Sequence, residues 1–415
     1  MTVLLGKISK QAWMVAPETL RIMECLLKDG AEARFVGGCV RDALVNRRVM
    51  DIDIATTLKP EEVVARLTEE KIPVVPTGLK HGTVTAVVDG RPFEITTLRR
   101  DVATYGRHAD VVFTDDWKAD AARRDFTFNA LSATMDGDVH DYFGGIEDLR
   151  MGRVVFVGDP ETRIREDVLR ILRYFRFLAH FGRGDADDAA VTACEKMADH
   201  IPRLSAERIR TEVLKLLDAP RCADVWALMM EHRVVTNFLP EGTNVKRLAR
   251  LVALEEKYHS PGFALRRLAG VLEVTVQGMI QLSEDLRLSR EQTTQMLSMM
   301  EPPVEVSLHM DQKAVRRAVH QLGNDTLRSL LLLCAANGED EGNLAEIYGW
   351  ATTFRVPRFP LQGSDVLALG IPAGPEVGRV LDIMRDWWAG QDFSPGRTAC
   401  LEKMNREFGR KIVRE

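Results

Sequence analysis

The sequence RFVGGCVRD at residues 34–42, followed by MDIDIA at residues 50–55, decides the fold of the first part of the chain. The first stretch has the pattern of a strand that ends at two glycines and leads into a helix. The second alternates acidic and apolar residues, as a half-buried strand does. Further short β-rich runs, up to about residue 153, predict a mixed α/β fold for this part.

Two aspartates lie two residues apart in the second stretch. Side chains at i and i+2 of a strand point to the same face, so Asp51 and Asp53 would meet at one point. Neighbouring carboxylates repel and raise each other's pKa unless a cation lies between them. The pair therefore indicates a divalent metal site, although an exposed strand face with two acids would give the same pattern.

A candidate phosphate site precedes these acids. Gly37 and Gly38 come directly before a predicted helix, and the N-terminal N–H groups of a helix favour an anion. Arg41 lies in the first turns of that helix and could bind the same anion through its guanidinium fork. A tight turn alone would also explain the glycines. Together with the two aspartates, these residues predict a site for a nucleoside triphosphate with Mg²⁺.

Two later segments extend the candidate site. Glu94 lies in a predicted strand that could lie beside the strand of the two aspartates, which makes it a candidate third acid. Surface alternation explains Glu94 equally well. In the run RRDFTFNAL, Arg123 and Arg124 suit a triphosphate, and Asp125 can accept a hydrogen bond from a ribose hydroxyl. A solvated charge cluster at the start of a helix is the alternative for this run.

The composition is that of an ordinary globular protein. The 415 residues predict several domains, and 45% apolar with 28% charged residues excludes a disordered chain. The formal net charge of -5 means that any site for a polyanion must be local. The six cysteines lie singly and no apolar run approaches the ~18 residues of a membrane span, so we expect a cytoplasmic protein without a membrane partner.

Six motifs connect the sequence to a known family. They are GGCVRD, DID, RRDFTFNAL, DYFGGIEDL, REDVLRILRYFRF and LSAERIRTE. In order and spacing, over about residues 34–212, they resemble the class II tRNA nucleotidyltransferases, in particular the bacterial CCA-adding enzymes. The head of this family is similar to the polymerase-β nucleotidyltransferase superfamily.

The resemblance implies a domain organisation. Helical periodicity dominates from residue 161 onward, which predicts that an all-α part follows the α/β head. By the resemblance, this part comprises a neck, a body and a tail, of which the tail binds tRNA. The predicted boundaries are 1–153 for the catalytic head, 154–220 for the neck, 221–300 for the body and 301–415 for the tail.

The resemblance also implies an activity and its partners. An enzyme of this family adds C, C and A to the 3′ end of tRNA from CTP and ATP, without a nucleic acid template, and releases pyrophosphate. Two Mg²⁺ ions are the implied cofactors. No obligate protein partner is evident, and the oligomeric state is not indicated.

The family's site residues can be placed on this sequence. Asp51 and Asp53 match the metal ligands, with Glu94 as the candidate third ligand, and Arg41 joins the two aspartates in the predicted catalytic set. The predicted substrate-binding set comprises Gly37, Gly38, Arg41, Arg123, Arg124, Asp125, Asn129, Glu166, Asp167, Arg170, Arg173 and Arg176.

Asp167 and Arg170 are the predicted selectors of the nucleobase. Three residues apart on a predicted helix, their side chains would be neighbours. A carboxylate accepts hydrogen bonds and a guanidinium donates them, which matches the amino group and ring nitrogen of cytosine and adenine but not uracil or guanine. A solvated ion pair is the alternative. However, Arg170, Arg173 and Arg176 alternate with apolar residues, as expected for a helix that lines a cleft.

Two further predictions concern a lid and tRNA contacts. Residues 99–110 resemble the family's flexible loop, with a plain hairpin as the alternative. Basic residues that could contact tRNA phosphates are Lys313, Arg316, Arg317, Lys403, Arg406, Arg410, Lys411 and Arg414. Solvated helix faces would explain the same residues.

Three rival functions remain open at this point. A bacterial poly(A) polymerase shares the head and neck, but we find no strongly basic insertion of the kind such polymerases have. A specialist that adds only CC or only A is a second possibility. The third is an inactive RNA-binding scaffold, which the intact Asp51, Asp53, Arg41 and Asp167 disfavour.

The first prediction tests the base-selecting pair. We expect Asp167→Ala and Arg170→Ala to incorporate UTP and GTP, because each substitution removes one group that rejects them. An unpaired buried polar group costs ~1–3 kcal/mol, so two mispaired groups correspond to discrimination of roughly 10² to 10⁴. Incorporation of each nucleotide into tRNA measures the effect. If both variants excluded UTP and GTP as well as the wild type does, this assignment would be wrong.

Overall fold

The computed structural model describes residues 4–79, 82–105, 108–338 and 341–409. The chain divides into two compact units, Met1–Pro240 and Glu241–Glu415. The division falls within the Leu-Pro-Glu-Gly stretch at residues 239–242, whose proline and glycine disfavour a continuous helix. The finer division into head, neck, body and tail stays a prediction.

A mixed β-sheet forms the centre of the first unit. The described strands are β1 Leu4–Lys7, β2 Ala33–Val36, β3 Asp53–Thr56, β4 Val74–Gly78, β5 Thr83–Val88, β6 Arg91–Thr97, β7 Arg99–Tyr105, β8 His108–Phe113, β9 Ser132–Ala133 and β10 Asp138–His140. Eight of them form one sheet in the order β1-β10-β9-β2-β3-β6-β5-β4. In this sheet β3 and β6 are parallel and the other pairs are antiparallel. The mixed α/β prediction is confirmed.

Helices complete the first unit. They are α1 Pro17–Leu26, α2 Gly38–Leu44, α3 Pro60–Glu69, α4 Trp117–Ala122, α5 Gly145–Met151, α6 Pro160–Glu166, α7 Leu169–Phe181, α8 Asp188–Lys196, α9 Ala206–Leu217 and α10 Cys222–Glu231. Apolar residues of α1, α2 and α3, such as Ile22, Val40 and Leu67, share one buried core with Ile54 and Phe93 of the sheet. This core holds the glycine turn after β2 and the start of β3 at the same end of the sheet.

The acidic strand is shorter than its sequence pattern predicts. Strand β3 begins at Asp53, and Asp51 lies in the irregular segment before it. Ile52 is nevertheless buried, so the alternation of exposed and buried residues extends beyond the hydrogen-bonded strand. The predicted placement of Glu94 is confirmed, because β6 lies beside β3 with Glu94 in register with Asp53.

The segment that resembles the family's flexible loop is an antiparallel hairpin. Strands β7 and β8 pair with each other in a separate two-stranded sheet. Residues 106–107, between the two strands, lie outside the described residues. The hairpin alternative is therefore the observed structure, and action as a lid stays a prediction.

One helix predicted from the sequence is two helices. The helical pattern of residues 160–181 is interrupted at Asp167, whose backbone is extended (φ −151°, ψ 109°), so α6 ends before it and α7 begins at Leu169. The Asp167 carboxylate accepts a hydrogen bond from the N–H of Leu169 at 3.1 Å. Aspartate competes for backbone N–H groups in this way, which ends one helix and caps the next. The prediction that Asp167 and Arg170 lie on one helix is wrong.

The second unit is helical in the part that the structure describes. Its helices are α11 Val245–Lys257, α12 Ala264–Val271, α13 Val276–Asp285, α14 Arg290–Met300, α15 Gln312–Leu322, α16 Asn324–Ala336, α17 Leu344–Thr353, α18 Gly363–Leu367, α19 Pro375–Gly390 and α20 Arg397–Phe408. Glu255 is buried between Arg266 and Arg267 and forms ion pairs with both. Among the described helices of either unit, none is long and apolar enough to cross a membrane.

Helix α5 is fixed closely against the turn that leads to the site. The carboxylate of Asp141 accepts hydrogen bonds from four successive N–H groups, those of residues 143–146, at 2.9–3.0 Å. A Cβ atom on Gly145 would lie 2.2 Å from the carbonyl oxygen of Thr127. Thr127 begins a 3₁₀ turn, Thr127–Asn129, so the absence of a side chain at Gly145 allows the turn that carries Asn129 to pack against α5.

The second prediction concerns this close approach. We expect Gly145→Ala to lower the free energy of unfolding by about 1–3 kcal/mol, because the backbone of the turn must move away from the new methyl group. Urea unfolding followed by circular dichroism measures the change. Gly378→Ala is the matched control: it lies in α19 with nothing within 4 Å of the added Cβ, so the substitution should raise stability by about 0.5–1 kcal/mol. Equal effects of both substitutions would contradict the close approach at Gly145.

Candidate active site

One cleft in the first unit brings most of the predicted residues together. Its volume is about 470 Å³. The predicted residues that line it are Gly37, Gly38, Arg41, Asp53, Arg123, Arg124, Asp125, Asn129, Asp167, Arg170, Arg173 and Arg176. Phe177 and Lys215 also line it, whereas Asp51, Glu94 and Glu166 do not. Seven basic and three acidic side chains face this space, so it is locally basic in a chain of net charge -5.

Gly37 connects the glycine turn to the two arginines of the RRD motif. Its φ of +68° lies in the region that favours glycine. A Cβ atom on Gly37 would also lie 3.1 Å from Nη1 of Arg124. The glycine therefore permits the turn after β2 and leaves room for the guanidinium of Arg124.

Asp120 holds both arginines of that motif. Arg123 donates to Oδ1 of Asp120 from Nε at 2.9 Å and from Nη2 at 2.8 Å, and Arg124 donates to Oδ2 at 3.1 Å. Asp120 is 3% exposed. Burial alone would raise its pKa, but the two guanidinium groups outweigh that effect and hold the pKa below its usual range. Asp120 thus stays ionised and fixes two cations at the cleft.

Arg41 is held by polar and aromatic partners. Its Nε and Nη2 donate to the carboxylate of Asp42, each at 2.9 Å, and its Nη1 donates to Oδ1 of Asn129 at 2.7 Å. The guanidinium also lies over the rings of Phe177 and Phe181, at 5.1 and 4.7 Å from the centroids. Burial lowers the pKa of Arg41, and the Asp42 carboxylate opposes that effect.

Asp125 forms the buried centre of the site. Its Oδ2 accepts a hydrogen bond from Nε of Arg173 at 2.7 Å, and its Oδ1 accepts from Nδ2 of Asn129 at 3.0 Å. Burial would raise the pKa of Asp125, but Arg173 more than compensates and lowers it. Both partners of this carboxylate line the cleft, so Asp125 organises the surface that a ligand would meet.

Glu212 of α9 supports the arginines of α7. Its carboxylate lies 3.8 Å from Nη1 of Arg173 and 2.6 Å from Nε of Arg176. Arg176 also lies 4.1 Å above the ring centroid of Phe177. Burial lowers the pKa of Arg176 to about 10, with Glu212 opposing the effect. At neutral pH Arg176 therefore remains charged and faces the cleft.

The acidic residues near β3 fit a divalent cation. Burial raises the pKa of Asp53 to about 6, and the charges of Glu94 and Asp51 add to the rise while Arg124 opposes it. Such a carboxylate gains stability from a nearby cation. Within the described residues, no three His, Cys, Asp or Glu side chains are close enough together to hold one ion. In this conformation Glu94 therefore acts on Asp53 by charge and does not complete a three-ligand set.

Asp167 and Arg170 both line the cleft, but they are not each other's ion-pair partner. Oδ2 of Asp167 accepts a hydrogen bond from Nη2 of Arg208 at 2.6 Å. Arg170 donates from Nη1 to Glu166 at 2.5 Å and to the carbonyl of Arg163 at 2.9 Å. Its Nη2 donates to the carbonyl of Arg123 at 3.0 Å. The acceptor and the donor predicted to select the base are thus held by separate partners.

Several residues of this site are not indicated by the sequence patterns: Asp42, Asp120, Phe177, Arg208, Glu212 and Lys215. The spacing of Asp120, three and four residues before the two arginines, is a recognisable helical ion-pair signal. Arg208 and Glu212 occur in a motif that the sequence analysis used for recognition only. No local pattern indicates that Glu212 reaches the arginines of α7 or that Arg208 reaches Asp167, two residues before that helix.

The candidate tRNA contacts in the second unit are partly engaged within the protein. Arg316 forms an ion pair with Asp392 at 2.7 Å, and Lys403 forms one with Glu407 at 2.5 Å. Arg410, Lys411 and Arg414 lie outside the described residues. The tRNA contacts of this unit stay a prediction.

Two protein-family models match the chain. Residues 33–155 match the poly A polymerase head domain. Residues 187–245 match a model described as a probable RNA and SrmB-binding site of polymerase A. The first match contains the glycine turn, both aspartates near β3 and the RRD motif, and the second contains α9.

Similar proteins are CCA-adding enzymes. The chain is 32% identical to the mitochondrial CCA tRNA nucleotidyltransferase 1 of Danio rerio, over 93% of this chain and 90% of that protein. It is 39% identical to a CCA-adding enzyme of Bacillus cytotoxicus, over 48% of this chain and 50% of that protein. The solved structure of the Bacillus stearothermophilus CCA-adding enzyme in complex with CTP superimposes with a TM-score of 0.69 at 27% identity, covering 94% of this chain and 97% of that one.

The third prediction follows from the raised pKa of Asp53. Because its pKa is about 6 in the folded chain and lower in the unfolded chain, this group opposes folding increasingly as the pH rises from about 4 to 6. In EDTA, we expect Asp53→Asn to be more stable than the wild type by about 1–3 kcal/mol above pH 6, with the difference shrinking toward pH 4. Urea unfolding at several pH values measures it.

Added Mg²⁺ supplies the control for this prediction. Mg²⁺ should stabilise the wild type, because an ion that binds only the folded state shifts the folding equilibrium. It should stabilise Asp53→Asn much less. A variant no more stable than the wild type in EDTA at pH 7.5 would contradict the electrostatic strain at Asp53.

Proposed function

Because this chain belongs to the tRNA nucleotidyltransferase family, the class II enzymes of the polymerase-β superfamily, we propose that it adds C, C and A to the 3′ end of tRNA. The substrates are CTP and ATP, no nucleic acid template is used, and pyrophosphate leaves. One observation supports this function best. A single cleft places Asp53, a group of arginines, and the acceptor and donor of Asp167 and Arg170 around one space.

The arginines of the cleft would bind the triphosphate. Arg41, Arg123 and Arg124 are fixed by Asp42, Asn129 and Asp120, so their charges are oriented before a nucleotide arrives. Preorganised cations stabilise the charge that moves toward pyrophosphate in the transition state, without reorganisation during the reaction. Gly37 and Gly38 leave the backbone open beside them.

Enzymes of this family use a divalent cation. We propose that Asp51 and Asp53 would hold two Mg²⁺ ions; their carboxylate oxygens are the ligand type that Mg²⁺ prefers, and Asp53 is strained without a cation. When bound, the metal lowers the pKa of the attacking 3′-hydroxyl and stabilises negative charge on the leaving oxygen. A contribution from Glu94 remains part of this proposal.

Base selection would use the free hydrogen-bonding positions of Asp167 and Arg170. Each carboxylate oxygen of Asp167 has two lone pairs, and each accepts one hydrogen bond from the protein. The five donors of Arg170 exceed the three contacts to Glu166, Arg163 and Arg123, which leaves donors for a ring nitrogen. The pair would therefore accept cytosine and adenine and reject uracil and guanine, as the sequence analysis predicts.

The remaining predicted residues have supporting roles in this proposal. Asp125 would hold Arg173 and Asn129 toward the nucleotide. A ribose hydroxyl would donate to Oδ1 of Asp125, the same oxygen that accepts from Asn129. Arg173 and Arg176 would add positive charge near the phosphates or the RNA end. Glu166 would orient Arg170. The cytoplasmic location is likewise proposed, because the six cysteines lie singly in the sequence and form no disulfide bond with one another.

The fourth prediction is the product of the reaction. Purified protein is incubated with tRNA that ends at the discriminator base, and with CTP, ATP or both. We expect two added nucleotides with CTP alone and three with both, because the cleft accepts each base in turn. Denaturing gel electrophoresis resolves these lengths.

The same assay distinguishes the rival functions. A long tail with ATP alone would indicate a poly(A) polymerase, and growth that stops after CC with both nucleotides would indicate a CC-adding specialist. An inactive scaffold would leave the tRNA unchanged even when it already ends in CC, whereas a specialist that adds only A would extend the tRNA ending in CC by one nucleotide. Asp53→Ala is the control variant, and full activity in that variant would overturn the metal assignment.

A further inference from the structure

Arg208 contacts the carboxylate that is proposed to select the base. Its Nη2 donates to Oδ2 of Asp167 at 2.6 Å, and the two side chains are equally exposed, at 23% each. The other oxygen of Asp167 accepts from the N–H of Leu169 at 3.1 Å. Each carboxylate oxygen thus has one donor from the protein. Arg208 itself is not among the residues that line the cleft.

The position of Arg208 on α9 suits this contact. Arg208 and Glu212 are four residues apart, so they lie one turn apart on the same face of the helix. Both direct their charges to the base-selecting part of the cleft, Arg208 to Asp167 and Glu212 to Arg173 and Arg176. Helix α9 therefore supplies the counter-charges for the segment that begins at Asp167.

We infer that Arg208 is a positioning residue for nucleobase selection and that it acts through Asp167. This inference rests on the proposed function. Rotation about the terminal torsion of an aspartate is only weakly restricted, so a single backbone N–H does not fix the plane of the carboxylate. A second, charge-assisted hydrogen bond fixes that plane and therefore the direction of the lone pairs that accept from the amino group of cytosine or adenine.

Arg208 also limits which lone pairs of Asp167 a nucleobase can reach. One lone pair of Oδ2 is taken by Arg208 and one of Oδ1 by the N–H of Leu169, so an incoming amino group must approach the remaining ones. Arg208 does not line the cleft itself. Loss of Arg208 should therefore weaken selection between bases more than it weakens binding of the triphosphate, which other arginines contact.

The experiment compares three single variants in the full-length protein. Arg208→Met removes the charge at similar length, and Arg208→Lys keeps the charge with a different geometry. Arg203→Met removes an exposed arginine just before α9 and is the matched control. We measure kcat and KM for CTP and UTP on tRNA ending at the discriminator base, and for ATP and GTP on tRNA ending in CC. Thermal unfolding of each variant reports its stability.

The expected result is a selective loss of discrimination. In Arg208→Met, the ratio of kcat/KM for CTP over UTP, and for ATP over GTP, should fall roughly 10- to 100-fold, the effect of one charge-assisted hydrogen bond. Arg208→Lys should recover part of each ratio, and Arg203→Met should match the wild type. A purely structural role would lower the rates with all four nucleotides together and leave the ratios unchanged.

Combination with Asp167→Ala separates this inference from the proposed function. If Arg208 acts through Asp167, the double variant should discriminate no worse than Asp167→Ala alone, because the two effects share one contact. Unchanged ratios in Arg208→Met, with lost discrimination in Asp167→Ala, would overturn only the role of Arg208. Unchanged ratios in both variants would overturn base selection by Asp167. Additive losses would show that Arg208 acts independently of Asp167.

Discussion

The ion pair between the buried Asp125 and the partly exposed Arg173 is the constraint on which the site depends. It joins the loop after α4 to helix α7, and Asp125 is 8% exposed. Removal of Arg173 would leave the buried Asp125 carboxylate without its counter-charge, and the loss of a partner from a buried charge typically costs about 3–5 kcal/mol. The pair therefore fixes α7 against the α/β part of the unit, with Arg170, Arg176 and Phe177 at the same cleft.

A second layer of carboxylates explains how an acidic chain builds a basic cleft. Asp42, Asp120, Glu166 and Glu212 each pair with an arginine of the cleft, and none of these acids lines it. In each pair the guanidinium faces the cleft, whereas the carboxylate that balances its charge lies behind it, away from the cleft. Held side chains lose less conformational freedom when a ligand binds, which favours affinity for a polyanion. The net charge of -5 thus says little about the local field.

The sequence predicts elements and residue types well where the pattern is local. The strand, two glycines and helix at residues 33–44, and the acids at Asp51 and Asp53, follow from neighbours in the chain. The sequence-based prediction fails at Asp167. The apolar periodicity continues through residues 160–181, so it gives no sign that the Asp167 side chain accepts from the N–H of Leu169 and caps α7. Periodicity reports which face is buried, but a capping hydrogen bond can interrupt the helix without changing that period.

The sequence by itself determined the α/β part and the helical remainder, because hydrophobic periodicity and side-chain chemistry are properties of the chain. The twelve predicted residues that line one cleft came from local patterns together with the resemblance of the motifs to a known family. Only the tertiary structure determines which acidic or polar side chain each arginine binds. Arg41 donates to Asn129 across 88 positions, and Arg208 donates to Asp167 across 41. Such pairs depend on how distant elements pack. From the sequence alone, any of several carboxylates could be the partner of a given arginine. The fold selects one of them because burial makes every unpaired charge unfavourable.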